Sequence, residues 1–182
     1  MNDKPENPTI TVIAYSKDRF TSAKVSSLSE ALKIGEYDVV WVNVDTLSLL
    51  QDVIKVLGVH ERPIKHLGKA GSRARVFVFP DYLFILLHQV YEMEGNLKRE
   101  RIGILLKDNI VVTIQERRGD VFNPVRESIR EGEGLLRESG ADYLLFALLE
   151  AVVENYVPII ERISSRWRNS KCRYSHGGTK AF

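Results

Sequence analysis

Apolar and polar positions along the 182 residues follow two rhythms, one for strands and one for helices. "TITVIAY" (9–15) alternates as a strand does, and "DVVWVNVD" (38–45) is β-branched and aromatic, which suits a pleated sheet. Between them "SSLSEALKIG" reads as a short helix stopped by Gly35. After the second strand, Asp45 or Thr46 can cap a helix by accepting a hydrogen bond from a free amide. Leu47, Leu50, Ile54 and Leu57 then fall at helical spacing, and Gly58 ends the run. Pro63 fits the first turn of another helix, with Gly68 and Gly71 marking its stop and a loop.

Four apolar segments follow: "ARVFVF", "YLFILLHQV", "RIGILL" and "IVVTIQ". Their links are short, and parallel neighbours need a crossover of about a dozen residues, so 74–115 is predicted to be an antiparallel meander. From Asp120 the period turns helical again. Asn123 can cap, Pro124 can take the first helical position, and Gly132 and Gly134 break the run. In "SGADYLLFALLEAVVENYVPIIERI", residues Leu144, Leu145, Leu148, Leu149, Val152, Val153 and Tyr156 make one broad apolar face. Pro158 should kink or break that helix. The elements add up to an α/β fold, with helices layered on a mixed, largely antiparallel sheet and long helices at the C-terminal end.

A single cysteine, Cys172, excludes an internal disulfide framework and fits a reducing compartment. The first ten residues lack a signal-peptide core, and no unbroken apolar run reaches the roughly 18–20 residues of a membrane helix. The chain reads as soluble and cytosolic. The net charge of +2 conceals an asymmetry: six basic and no acidic residues follow Glu161, and without them the rest carries −4. Overall basicity therefore gives no reason to expect nucleic acid as a partner.

Residues 58–77, "GVHERPIKHLGKAGSRARVF", hold His60, His66 and five Lys or Arg, and read as a polar loop region. "GKAGSR" has the residue types of a phosphate loop without its spacing. His60, His66 and His88 form no zinc spacing with Cys172, and His88 reads as a sheet-face residue. Glu150 and Glu154 stand one helical turn apart; such a pair holds a hard cation such as Mg2+ or simply faces solvent. Arg117 and Arg118 read as a strand exit, and Arg126 and Arg130 with Glu127 and Glu131 as a solvent face. No enzyme motif is present in the sequence.

The blocks "WVNVD…GVH", "DYLFILLHQV", "QERRGDVFNPVRESIR" and "ADYLLFALLEAVVENY" resemble, in order and spacing, the cytosolic N-terminal domain of CorA-type magnesium and cobalt transport proteins. Gln115–Arg130 is the most specific stretch. The resemblance implies an α/β/α sandwich over residues 9–163, between a flexible N-terminus (1–8) and a basic tail (164–182) that does not look like the family and reads as disordered. It also implies homopentameric divalent-cation channels, with no enzyme activity and no nucleic-acid partner. Regulatory Mg2+ or Co2+ would bind between neighbouring cytosolic domains and hold the pore closed. An adjacent Glu-Asp pair supplies metal ligands in the family; here it falls on Lys65 and His66, whereas the acidic position on the long helix is kept as Glu150. Lysine repels a cation, and histidine prefers Co2+, Ni2+ or Zn2+ to Mg2+. The expected metal residues are thus His66, Glu150 and Glu154, with Mg2+ sensing weakened.

The family's stalk, its membrane helices and its Gly-Met-Asn signature are not found in this sequence. The chain alone is therefore expected to be soluble and unable to conduct ions, and as an isolated unit to be monomeric. The full-length protein would sit with this domain on the cytoplasmic side of the membrane. A free-standing soluble metal-binding or interaction module is the alternative; an enzyme on a common α/β frame is a third reading.

Overall fold

The computed structural model describes residues 10–93, 95–117 and 119–175, without the side chains of 166 and 168–175. The predicted flexible segment 1–8 lies outside the described residues. Among the described residues seven strands form one sheet: β1 (Ile10–Ser16), β2 (Arg19–Val25), β3 (Val39–Val44), β4 (Arg75–Val78), β5 (Leu83–Met93), β6 (Asn96–Lys107) and β7 (Ile110–Gln115). Their order is β2-β1-β3-β7-β6-β5-β4. Every neighbouring pair is antiparallel except β3 and β7, which run parallel. The meander read from the short links is β4 to β7. Its β5–β6 hairpin is longer than predicted, because "YEMEGNLKRE" extends both strands instead of forming a loop.

β3 and β7 lie at the centre and are buried on both faces, as their unbroken β-branched runs require. Val40, Val42, Val44, Val112 and Ile114 face one helical layer: α1 (Leu28–Ala31), α2 (Leu50–Leu57) and α3 (Glu61–Gly68). Val39, Trp41 and Val111 face the other: α4 (Asn123–Glu131) and α5 (Ala141–Glu154). The result is an α/β/α sandwich with a core on each side of the sheet. Close approach is built in at Gly103 of β6, where a Cβ would lie 2.8 Å from Leu67 and 2.9 Å from the Phe84 ring. Both neighbours are fully buried, so only a residue without a side chain lets α3 settle on the sheet here.

Helix ends follow the predicted punctuation with small shifts. Thr46, not Asp45, caps the turn at Leu47–Leu49, which leads into α2, and Gly58 closes α2 in the left-handed conformation at φ 63°. Asn123 does not cap α4; its side chain accepts from Arg126 instead, and Phe122 takes the cap position. The long helix breaks at Asn155, and α6 (Tyr156–Ser175) carries Pro158 in its first turn. Proline there has no amide for the Glu154 carbonyl and crowds it, which explains a break three residues upstream. Asn155 Nδ2 donates to the Val90 carbonyl at 2.6 Å and Tyr156 Oη to the His88 carbonyl at 2.5 Å, tying the break to β5. The expectation of disorder from residue 164 is corrected over 164–175, which continue α6; 176–182 lie outside the described residues. The segment Ala141–Ser165 is long and apolar enough to cross a membrane by length and composition. Its first half is committed elsewhere, because Leu144, Leu145, Leu148 and Val152 pack on the sheet.

One carboxyl is buried where the hairpin leaves the helical cover. Glu100 of β6 stands opposite Gln89 of β5 and is 4% exposed. Burial pushes it up to about 7 from an ordinary 4.5; a hydrogen bond from the Gln89 side chain opposes this, the Glu116 charge adds to it, and the backbone amide and the charge of Arg117 oppose it. The unfolded chain gives up this proton near 4.5 and the folded chain near 7. Between those values the folded state holds the extra proton, so stability is full below the window and declines as pH rises through it. Urea midpoints measured across the window should fall for the wild type and stay flat for Glu100→Gln. Equal slopes would show that Glu100 is ionised in the fold.

Candidate metal site

Sequence reasoning named His66, Glu150 and Glu154, and the fold separates the first from the other two. His66 sits near the end of α3, in the first helical layer. Its ring stacks on Phe77 at 5.6 Å, and its Nδ1 lies 3.5 Å from the Ser72 hydroxyl. Arg101 fixes this end of α3 by donating to the carbonyls of Leu67 at 2.6 Å and Lys69 at 3.1 Å, while its guanidinium pairs with Glu116. The cavity beside His66, of about 340 Å³, is walled by Lys69, Arg73 and Arg75. Lys65 points its ammonium at Glu61, 2.7 Å away, one turn back along the helix. This surrounding is cationic and opposes a divalent ion.

Glu150 and Glu154 lie on α5, in the opposite layer, and both are exposed. They line a cleft of about 230 Å³ between α4 and α5, together with Glu133, Ser128 and Tyr143. Three carboxylates thus share one opening. Among the described residues no three His, Cys, Asp or Glu side chains come close enough to hold a metal ion. The cleft supplies negative charge and oxygen donors but not a closed coordination shell.

Glu133 was missed by the sequence reading; its only signal is a glutamate between two glycines in "EGEG". A larger omission is the polar column on the α4 side of β3 and β7. Trp41 Nε1 donates to the Thr113 hydroxyl at 3.0 Å, which donates to Asn43 Oδ1 at 2.6 Å. Asn43 and Gln115 donate to Asp45 at 2.7 and 2.9 Å. Arg126 closes the column with two bonds to Asp120, at 2.6 and 2.5 Å. Arg126, a solvent-face residue by its sequence pattern, is instead largely enclosed, above the Trp41 ring. The available signal was polar residues set in apolar strands, as in "WVNVD" and "VVTIQ". His88 is half-buried on the sheet, and burial, then Arg99 and Arg101, hold its ring below the ordinary histidine range.

Comparison with known proteins assigns this architecture to a class. Residues 36–172 match the family model described as CorA-like Mg2+ transporter protein. The chain belongs to that family. The match runs into the tail that was expected to fall outside it. The cobalt/magnesium transport protein CorA of Thermotoga maritima is 32% identical over 161 residues, covering 85% of this chain and 46% of that protein. The complete CorA magnesium transporter of Methanocaldococcus jannaschii superposes with a TM-score of 0.68 at 17% identity, over 94% of this chain and 52% of that one. The soluble domain of the same transporter gives 0.68 at 15% identity, over 94% and 66%. The chain spans about half the length of the full-length relatives it matches. The family is one of transporters, which sets the enzyme reading aside.

Proposed function

We propose that this chain is the cytosolic regulatory domain of a divalent-cation transporter, and that its cation is held between copies of the domain. The observation that carries this is the open acidic cleft. Glu133, Glu150 and Glu154 face one space and lack, among the described residues of one chain, the further ligands a cation needs. A second copy is the natural source of those ligands. Like charges brought together at such an interface repel, and a divalent ion between them offsets the repulsion; its loss restores it. The relatives named for magnesium and cobalt transport support the choice of ion.

Further support comes from an uncovered apolar face. Phe146, Val153, Val157, Ile160, Ile163 and Trp167 are each at least half exposed along α5 and α6. A surface of this kind is completed by other chains or by further elements of a longer protein. Assembly as a homopentamer on the cytoplasmic side of a membrane fits this face. A weak interface in the isolated domain gains from the raised effective concentration that a membrane-anchored assembly provides.

Lys65 and His66 shift the metal preference. His66 from one copy, meeting Glu150 and Glu154 of the next, whose carboxylates offset the charge of Lys69, Arg73 and Arg75 beside it, favours Co2+ over Mg2+. Calorimetric titration of the wild type with each ion, alongside sedimentation velocity, tests this. Co2+ should bind and promote association, Mg2+ should do so only slightly, and Glu150→Gln should weaken both responses. His66→Ala should lower Co2+ affinity alone. Absence of any metal-dependent heat or association at millimolar ion overturns the reading; Co2+ binding unchanged in His66→Ala removes the role given to histidine.

A further inference from the structure

A third opening, a cavity of about 390 Å³, lies where the β5–β6 hairpin runs past the helices, on the α4 side of the sheet. Its floor holds Gln89 and Glu100, which are 3% and 4% exposed. Among the described residues, one oxygen of each, Gln89 Oε1 and Glu100 Oε1, is buried without a hydrogen-bond partner. The Gln89 amide is not free to turn and relieve this, because Nε2 donates to the Gly119 carbonyl at 3.2 Å. The two residues are directly paired across the strands, so both acceptors belong to one place. Leaving such groups unsatisfied is costly, and a ligand that supplies donors recovers that cost.

The walls narrow the choice of donor. Tyr91, Met93 and Val121 contribute aromatic and apolar surface. A hydrated Mg2+ ion requires about six oxygens in near-octahedral array and gains nothing from such walls. An alkyl chain ending in a cationic N–H donor matches both halves. Its carbons would lie on Met93 and Val121, its charge would meet the Glu100 carboxylate once that group has lost its proton, and a second N–H would reach Gln89. The Tyr91 ring offers a face that attracts a cation. Arg117 also borders the cavity and its charge reaches Glu100, but the side chain is exposed and solvent screening makes this the smallest of the effects on that carboxyl. We propose that the cavity between the β5–β6 hairpin and the loop after β7 binds small organic cations of the alkylammonium or alkylguanidinium class, held by Glu100 and Gln89. This site is separate from the acidic cleft of α5 and does not depend on the metal reading.

Propylguanidinium serves as the probe, with propanol as the uncharged control, titrated into the whole chain by calorimetry and followed by NMR shifts of residues around Glu100. Saturable binding of propylguanidinium, absent for propanol, is the expected result. Glu100→Gln keeps the size of the side chain and removes the charge, and should weaken binding about tenfold or more. Gln89→Leu should weaken it by a smaller factor. Circular dichroism establishes that both variants are folded. Equal affinity in wild type and Glu100→Gln overturns the proposal, as does the absence of saturable binding at millimolar probe. Displacement of the probe by Mg2+ at equal concentration also overturns it, since that would make the cavity a metal site.

Discussion

Asp120→Ala is expected to lower the free energy of unfolding by about 3–5 kcal/mol, the range for removing one partner of a buried ion pair. The side chain of Asp120 is 5% exposed and carries four roles at once. It takes both bonds from Arg126, accepts from the Phe122 amide at 3.0 Å at the start of α4, and lies near the Gln115 and Asn43 amides at 3.4 and 3.5 Å. Alanine removes all of these and leaves the enclosed guanidinium of Arg126 without a counter-charge. A domain of ordinary stability has about 5–15 kcal/mol in total, so the variant loses a large share of it. Asp120→Asn keeps an acceptor for Phe122 but not the charge, and should fall between wild type and alanine. The Asp120→Ala, Arg126→Leu double variant should recover part of the loss, because it removes the stranded charge. Urea unfolding measures all four proteins. A loss below about 1 kcal/mol for Asp120→Ala would place the pair among solvated surface bridges.

The column around Asp120 also marks how far sequence reading reaches. Strands β1 and β3 and the β4–β7 meander were legible because alternation and short links are local facts. β2 escaped because Arg19–Val25 is an edge strand, with exposed Arg19, Ser22 and Lys24 diluting the apolar signal. The disorder assigned to the tail followed composition, whereas α6 continues through Ser175. At the candidate site, Glu150 and Glu154 line one cleft, as follows from the single helical turn that separates them in any helix. His66 could be joined to them only through the family resemblance. Within one chain the sheet stands between α3 and α5, a fact that no spacing encodes. Asn43, Thr113, Gln115 and Asp120 likewise become one network only when the parallel register of β3 and β7 aligns them.

That alignment makes Trp41 the second position of large effect. The ring is fully buried at the centre of the sheet, edge-on to Phe122 at 5.9 Å, with the Arg126 guanidinium 5.1 Å from its centre. Trp41→Ala should cost about 3–5 kcal/mol, through lost burial and the cavity left beside Phe122. It also strips a donor from the Thr113 hydroxyl and an aromatic face from Arg126. Trp41→Phe retains most of the apolar bulk and should cost less, mainly the indole N–H bond and the smaller contact area. Circular dichroism is the proper readout, because only two tryptophans exist and Trp41 is itself one of them. Combined with Asp120→Ala, Trp41→Ala should cost less than the sum of the two single losses, since both act through Arg126. Strict additivity would show that the ring supports the sheet alone. A shortfall would show that sheet core and polar column form one unit, joining β3 to the entry of α4.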